Sequence, residues 1–448
     1  MILHAATALL PEGWAKDVRI RVEDGRIVEV ATGVPGQGHG VILPAPVNLH
    51  SHTFQRAMAG LTEARTAGQD SFWTWRALMY RFLERLSPED VQAIAAQAMV
   101  EMAEAGFSAV CEFHYLHHPV GGGTYLDPAE MSGRIAAAAA DTGFGLTLLP
   151  VIYEQGGVDG RALAGGQLRF GSSPEVYARI LDGAGTALGG MPDAVLGVAP
   201  HSLRAVSLPT LNRVAGMAPD GPVHIHIAEQ VAEVTEVQSA WGARPVEWAV
   251  ANLPLDARWC MIHATQMKPD ETADLARSGA VAGLCPITEA NLGDGIFDGP
   301  GWLAAEGAFG VGSDSNVRIS LTEELRLLEY SQRLNLKARA VMATGDRSTG
   351  RRLWEGVAQG GAQAAGRPSG QIAVGQWADL LAVDATDLRL AGLEGDSLLD
   401  GLIFAGRDGL VTDLWSAGRH VVRDGRHIAR EAIASRFSAT MRRLREAL

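Results

Sequence analysis

Short apolar runs alternate with helix-like stretches through the middle of the chain. Segments such as 88–105, 129–140 and 245–252 separate these runs and carry Ala, Leu, Met and Glu at helical spacing. Eight buried strands that alternate with helices predict a parallel sheet closed into a (β/α)8 barrel of the TIM type. An open doubly wound sheet is the competing arrangement, but no Gly-x-Gly-x-x-Gly turn follows the first run. The eight runs are 41–49, 108–113, 145–152, 195–199, 223–227, 259–262, 280–284 and 308–312.

The two ends of the chain show a different, strictly alternating pattern. Residues 17–30 alternate around Asp24-Gly25, and residues 411–426 alternate around Asp424-Gly425, as in β-hairpins with tight turns. We therefore expect an α/β protein whose barrel carries a small β-sandwich domain built from both chain ends. The expected boundaries are 1–43 and 365–428 for the β-domain, 44–364 for the barrel, and 429–448 for a C-terminal helix.

Composition and charge narrow the class of protein. The chain has 448 residues, of which 47% are hydrophobic and 20% charged, as in a globular enzyme. A formal net charge of −13 disfavours nucleic acids and anionic membranes as partners. Three separated cysteines in apolar runs predict buried thiols in a reducing compartment. With no signal peptide and no apolar run long enough to cross a bilayer, we expect a cytoplasmic protein.

Residues that bind metals or carry protons follow nearly every predicted strand. In barrels of this kind the chemistry takes place at the carboxyl ends of the strands. Thirteen histidines placed at random would not gather at these ends readily. The sequence therefore predicts an active site at this face of the barrel. The residues are His50, His52, His114, Tyr115, Tyr153, His201, His226, Glu229, His263, Cys285 and Asp314.

Four of these residues form the predicted metal site. His50 and His52 leave an extended strand on the same side, because side chains at i and i+2 point in one direction. With His226 and Asp314 they make a ligand set for one zinc ion with a position left for water. The same ligand types also suit Fe²⁺ or Mn²⁺.

Three carboxylate or imidazole groups are the candidate catalytic residues. Glu229 comes three residues after His226, where it can take a proton from the attacking water and pass it to a leaving nitrogen. A neutral His263 can hydrogen-bond the attacking water, and Asp314 can accept a proton from it. The alternative for Glu229 is a helix-starting carboxylate that favours the helix dipole. His224, one layer deeper on the strand of His226, is expected to pack or to support the site.

The pattern of His50-Ser-His52, His226-x-x-Glu229, His263 and Asp314 resembles the amidohydrolase superfamily, in its single-metal aminohydrolase branch. His201 stands where two-metal members place a carboxylated lysine. The segment 370–379 (GQIAVGQWAD) is similar to the superfamily's returning β-segment. The resemblance covers essentially the whole chain.

Within that branch, three segments resemble the formimidoylglutamate deiminase family. They are 48–60 (NLHSHTFQRAMAG), 70–76 (DSFWTWR) with Met79-Tyr80, and 288–295 (TEANLGDG). The resemblance implies hydrolysis of N-formimidoyl-L-glutamate to N-formyl-L-glutamate and ammonia in histidine breakdown, and a homodimer. It also implies that the small dicarboxylate substrate is bound by Gln55, Arg76, Tyr115, His201 and Arg204.

Two alternatives use the same scaffold. One is an aminohydrolase acting on a purine, pyrimidine or triazine base, which has no need for Arg76 and Arg204 together. The other is a catalytically dead barrel that acts as a binding protein or sensor. The second is disfavoured, because water activator, proton carrier and metal ligands all occur in one chain.

Overall fold

The computed structural model describes residues 1–63 and 72–446, and of residues 72–77 it describes the backbone. Within these residues there are seventeen strands, numbered in chain order. They are β1 (Ile2–Leu10), β2 (Gly13–Glu23), β3 (Arg26–Ala31), β4 (His39–Pro44), β5 (Val47–Ser51), β6 (Ala109–His114), β7 (Gly145–Ile152), β8 (Val195–Leu196), β9 (Ala199–Pro200), β10 (Val223–Ile227), β11 (Trp259–His263), β12 (Val281–Leu284), β13 (Phe309–Val311), β14 (Leu380–Val383), β15 (Val411–Ser416), β16 (Arg419–Arg423) and β17 (Arg426–His427).

The helices of the described residues include two of the predicted segments at their expected bounds, 88–105 and 245–252, whereas 129–140 is shifted slightly. Several begin with Pro at the first helical position, where the backbone N–H has no partner within the helix and its absence costs no hydrogen bond. They are α1 (Phe72–Leu83), α2 (Pro88–Ala105), α3 (Glu130–Thr142), α4 (Pro174–Ala187), α5 (Leu208–Val214), α6 (Val231–Trp241), α7 (Pro245–Asn252), α8 (Pro269–Arg277), α9 (Pro286–Leu292), α10 (Gly299–Ala304), α11 (Leu321–Leu336), α12 (Thr349–Ala364), α13 (Asp396–Phe404) and α14 (Arg430–Glu446). No helix in the described part of the chain is both long and apolar enough to cross a membrane.

Strands β5 to β13 form the predicted barrel. Parallel pairing runs from β5 through β6 and β7 to β8 and β9, and again from β10 through β11 and β12 to β13. Parallel bridges between Val198 and Val223 and between Ser51 and Asp314 join the two halves and close the ring. The closed ring confirms the (β/α)8 barrel and rules out the open sheet.

The first apolar run, 41–49, is two strands and not the single strand that the sequence analysis expects. β4 joins the sheet of the chain ends, and β5 starts the barrel three residues later. Pro44 and Pro46 explain the division, because proline lacks the N–H that a central strand needs for its ladder. The run therefore serves both parts of the molecule in succession.

The remaining strands form one sheet from both chain ends, in the order β17-β16-β15-β14-β4-β1-β2-β3. Its alternate residues face two cores. Ile42 lies in a small core on one face of this sheet, whereas its neighbours Val41 and Leu43 pack into the large barrel core. The predicted hairpins are confirmed, and Asp24 and Gly25 adopt the positive φ angles, 49° and 77°, of a tight two-residue turn.

Helix α14 lies against α2 on the outside of the barrel. The apolar face of α14 is buried and consists of Ile433, Met441 and Leu444. On the polar side, Arg436 pairs with Asp141 at 3.0 Å. The predicted C-terminal helix thus covers the barrel with its apolar face.

A buried ion network joins the terminal sheet to the barrel. The Arg367 guanidinium donates to Asp379 Oδ2 at 2.6 Å and to Asp193 Oδ2 at 2.9 Å. Arg419 of β16 makes a further two-point contact with Asp193, at 2.8 and 2.7 Å. Asp379 also accepts the backbone N–H of Ala417. Since Arg367 and both carboxylates are almost fully buried, each charge depends on its partners.

Replacing Arg367 with Met should destabilise the protein by about 3–5 kcal/mol, because it leaves the buried Asp379 without a cation and Asp193 with Arg419 alone. The measurement is the midpoint of thermal or urea unfolding. The matched control is Arg161→Met, which breaks an exposed pair with Asp159. We expect no measurable change in the control, and equal midpoints for the two variants would contradict a structural role for the network.

Candidate metal centre and active site

Three imidazoles and one carboxylate meet at the carboxyl ends of β5, β10 and β13. His50 Nε2 lies 3.0 Å from His226 Nε2 and 3.5 Å from Asp314 Oδ1. His52 Nε2 lies 3.3 Å from the same carboxylate oxygen. All four side chains are buried. The structure thus brings together the four residues that the sequence predicts as ligands.

The orientation of these rings suits a cation. Nδ1 of His52 donates to the Phe113 carbonyl at 2.9 Å, and Nδ1 of His226 donates to the His201 carbonyl at 3.1 Å. The Nε2 atoms therefore carry lone pairs, and they face other acceptors at close range. A positive ion between them removes this repulsion, and backbone partners of this kind fix the tautomer of metal-binding histidines.

Burial also holds the histidines in the neutral form that a metal requires. It lowers the pKa of His50 to about 3, although Asp314 opposes the shift. Burial lowers the pKa of His52 and of His226 as well. Metal ligation needs an unprotonated imidazole nitrogen, so no proton has to be displaced at neutral pH. The residues present fit a divalent metal ion.

A network of polar side chains aligns β5 with the loop after β13. Asn316 Nδ2 donates to the carbonyls of His52 and Asp314, at 3.1 and 2.9 Å. Asn48 donates to Ser313 Oγ at 2.6 Å, and Ser313 donates to Asn316 Oδ1 at 2.6 Å. These contacts fix Asp314 relative to the two histidines. A Cβ at Gly312 would lie 2.5 Å from the His50 carbonyl oxygen, so this approach requires glycine.

The predicted catalytic residues lie beside the ligands. His263 Nε2 is 3.9 Å from Glu229 Oε1 and 4.0 Å from Asp314 Oδ2. Burial raises the pKa of Glu229 to about 6. Burial disfavours a charged His263, but Glu229, Glu289 and Asp314 outweigh it and raise its pKa to about 10. The carboxylates thus favour a protonated ring, whereas the sequence analysis expects a neutral imidazole.

Glu289 is a part of the site to which the sequence analysis assigns no role. Its Oε1 accepts a hydrogen bond from Nδ1 of His263 at 3.2 Å and from the backbone N–H of Cys285 at 2.8 Å. It therefore orients the His263 ring from behind. The signal was present, because Glu289 lies in the segment 288–295, but only the fold shows which group it faces.

A cavity with an empty volume of about 620 Å³ opens above the ligands. All but His50 of the residues predicted as metal ligands, catalytic groups or substrate contacts line it, where their side chains are described. His114 and Cys285, which also follow predicted strands, are buried and do not line it. His50 lies directly below, fully buried. Met79, Tyr80 and Phe170 add apolar walls. The described residues of the cavity are His52, Gln55, Met79, Tyr80, Tyr115, Tyr153, Phe170, His201, Arg204, His226, Glu229, His263, Leu292, Asp314 and Ser315.

The residues predicted to bind substrate surround this cavity. Gln55 donates to Tyr115 Oη at 2.6 Å, and Nδ1 of His201 lies 3.1 Å from Ser202 Oγ. Burial disfavours the charged form of Arg204, but Glu233, Tyr153 and Glu229 raise its pKa, so it stays cationic. Arg76 lies on α1, but its side chain and residues 70–71 fall outside the described part of the chain. His224 lies deeper in the barrel than His226, and its ring contacts the Ala364 carbonyl at 2.8 Å.

Residues 41–421 match the model of the family described as "Amidohydrolase family", and residues 1–39 match "Formimidoylglutamate deiminase HutF, N-terminal domain". The formimidoylglutamate deiminase of Pseudomonas aeruginosa is 49% identical over 97% of both chains. This chain belongs to the amidohydrolase family, in its formimidoylglutamate deiminase branch. A crystal structure of an amidohydrolase from Brucella melitensis is similar, with a TM-score of 0.96 and 48% identity over 99% of each chain.

More distant amidohydrolases share the fold. A zinc-bound adenosine deaminase from Xanthomonas campestris has a TM-score of 0.83 and covers 99% of this chain and 98% of its own, at 22% identity. The 8-oxoguanine deaminase of Pseudomonas aeruginosa is 27% identical over 83% of this chain and 82% of its own. The base aminohydrolases are therefore relatives of lower identity than the deiminase.

Removing the metal by chelation should abolish hydrolysis and lower the unfolding midpoint, since an ion bound to the native state stabilises it by about 2.7 kcal/mol when its free concentration is a hundred times its Kd.

Replacing His226 with Asn should remove a metal ligand, so we expect elemental analysis of this variant to find little bound metal. The matched control is His224→Asn on the same strand, which should keep its metal. Full metal content in His226→Asn would contradict the ligand assignment.

Proposed function

We propose that this protein hydrolyses N-formimidoyl-L-glutamate to N-formyl-L-glutamate and ammonia, a step of histidine degradation. The observation that carries the proposal is the 49% identity to a formimidoylglutamate deiminase over nearly the whole of both chains. The cavity adds a chemical reason. It combines proton carriers at its floor with a buried cation, Arg204, which suits a substrate that bears two carboxylates.

We propose zinc as the metal, held by His50, His52, His226 and Asp314, with one ion per subunit. Three imidazoles and a carboxylate are a set that zinc binds well, although Fe²⁺ and Mn²⁺ share these preferences. When bound, such an ion lowers the pKa of water and polarises the carbon under attack.

The chain's own carboxylates account for the protons. Hydrolysis forms a bond from water oxygen to the formimidoyl carbon and breaks the bond to the terminal nitrogen. Both protons of the water end on that nitrogen, which leaves as ammonia. We assign their transfer to Glu229 and Asp314, because each lies within 4.0 Å of His263 Nε2 on the floor of the cavity.

His263 is assigned to charge stabilisation. Its protonated ring faces Glu229 and Asp314 through Nε2, and Glu289 holds it through Nδ1. A fixed donor of this kind stabilises negative charge that develops on the attacking oxygen. It also keeps the two carboxylates ionised and ready to accept protons.

The carboxylates of the substrate are assigned to the upper cavity. Arg204 offers a cation there, and His201, Tyr115 and Gln55 offer hydrogen-bonding groups. Arg76 is assigned to the same role by the family resemblance. A purine or pyrimidine base offers no anionic group for Arg204, so this arrangement favours formimidoylglutamate over a base.

We also propose a homodimer, as the family resemblance implies, and a cytoplasmic location, as the sequence analysis expects. The apolar face of α14 is already buried against the barrel, so the contact between subunits is expected to use another surface. Sedimentation of the purified chain gives its mass in solution directly.

Replacing Glu229 with Gln should lower kcat/KM by about 10²- to 10⁴-fold, the usual contribution of a proton carrier. In the unmodified protein, kcat/KM should fall below a pH of about 6, because protonation of Glu229 removes the base. Ammonia release measured across pH tests both. A Glu229→Gln variant with the acid limb intact would show that another group carries the proton.

Replacing Arg204 with Met should lower kcat/KM for formimidoylglutamate by about two orders of magnitude, since truncating one partner of a buried charge pair costs about 2–5 kcal/mol. Formamidine, which lacks the carboxylates, should be hydrolysed at an unchanged rate. The control variant is Arg213→Met, at an exposed position. Equal losses on both substrates would assign Arg204 a structural role and remove support for the dicarboxylate.

A further inference from the structure

A second group of metal-ligating side chains lies beside the first. Ligand atoms of His263, Cys285 and Asp314 all lie within 4.8 Å of one another, and all three residues are buried. Cys285 directly follows strand β12 and takes no part in the proposed hydrolysis. It is one of three free thiols, and the other two, Cys111 and Cys260, belong to neither of the two ligand groups found among the described residues.

The carboxylate of Asp314 is divided between the two groups. Its Oδ1 faces His50 and His52, at 3.5 and 3.3 Å, whereas its Oδ2 faces His263 at 4.0 Å. A carboxylate that presents one oxygen to each of two ligand sets has the geometry of a bridge between two ions. Two-metal hydrolase sites hold their ions about 3.5–4 Å apart.

A single oxygen of Glu289 fixes both remaining donors. It accepts from Nδ1 of His263 and from the backbone N–H of Cys285, so it holds the ring and the base of the thiol side chain in place. A carboxylate behind a histidine is the usual support of a metal-binding imidazole. Nε2 of His263 is therefore directed towards Asp314.

We propose that His263, Cys285 and Asp314 form a second, weaker metal site that takes a thiophilic divalent cation such as Cd²⁺ and inhibits the enzyme. The thiol supplies the preference, because thiolate ligands select soft ions. Burial raises the pKa of the Cys285 thiol, so coordination must displace its proton and the proton on His263 Nε2 to solvent, which makes this site weaker than the first. The occupied site withdraws His263 and Asp314 from proton transfer, which accounts for the inhibition.

The distances between ligand atoms indicate which of the two sites binds a metal ion first. Adjacent ligands of a tetrahedral zinc ion lie about 3.4 Å apart, given bonds of about 2.1 Å. The first set already approaches this spacing, at 3.0 to 3.5 Å, whereas His263 and Asp314 are 4.0 Å apart. The second site must contract or take a larger ion, so it fills after the first. The proposal concerns binding and does not depend on which substrate is hydrolysed.

The test adds Cd²⁺ to enzyme that holds one equivalent of zinc. We expect a thiolate-to-cadmium charge-transfer band in the ultraviolet to grow together with inhibition, while zinc stays bound in elemental analysis. Cys285→Ser should keep its basal activity, lose the band, and need at least tenfold more Cd²⁺ for half-inhibition. The matched control, Cys111→Ser, replaces another buried thiol and should behave like the unmodified enzyme.

Three results would overturn the proposal. They are a band that persists in Cys285→Ser, a loss of zinc as cadmium binds, and inhibition that is equal in the two cysteine variants. Cys285→Ala provides a second variant, and circular dichroism verifies that each variant is folded. Because the band needs no substrate, it reports on the second site even if another molecule proves to be the substrate.

Discussion

The site depends on the placement of three neutral imidazoles and one carboxylate around one point in the interior of the barrel mouth. Burying these polar groups is unfavourable unless each finds a partner. Backbone carbonyls satisfy Nδ1 of His52 and of His226, which leaves their Nε2 atoms for a cation. The barrel provides this arrangement because parallel strands deliver all four residues to one edge. Without an ion the lone pairs oppose one another, so metal and fold support each other.

Asp314 connects the parts of the site. It faces His50 and His52 through one oxygen and His263 through the other, and Asn316 fixes its backbone. The backbone of Asp314 and of His263 has positive φ, 43° and 71°, which is unfavourable for residues with a Cβ. Such strain persists where surrounding contacts over-determine the conformation. Here those contacts are the Asn316 amide and the Glu289 carboxylate.

Local patterns in the sequence were sufficient to predict the barrel, the hairpin turns and the four candidate ligands that the structure brings together. Polar–apolar alternation and Asp-Gly turns are determined by a few neighbouring residues. In His50-Ser-His52 the i, i+2 spacing alone places both imidazoles on one side of the strand. The division of residues 41–49 at Pro44 and Pro46 was missed, since an apolar run shows burial but not which sheet receives it. The raised pKa of His263 could not be read from the sequence, because it results from carboxylates distant in sequence that only the fold brings together.

The most direct test of the central claim is X-ray absorption at the zinc edge, on enzyme that holds one equivalent of zinc. The account predicts a first shell of nitrogen and oxygen at about 2.0–2.1 Å, with the outer-shell pattern of three imidazoles and no sulfur. A sulfur neighbour at about 2.3 Å, or fewer than three imidazoles, would contradict it.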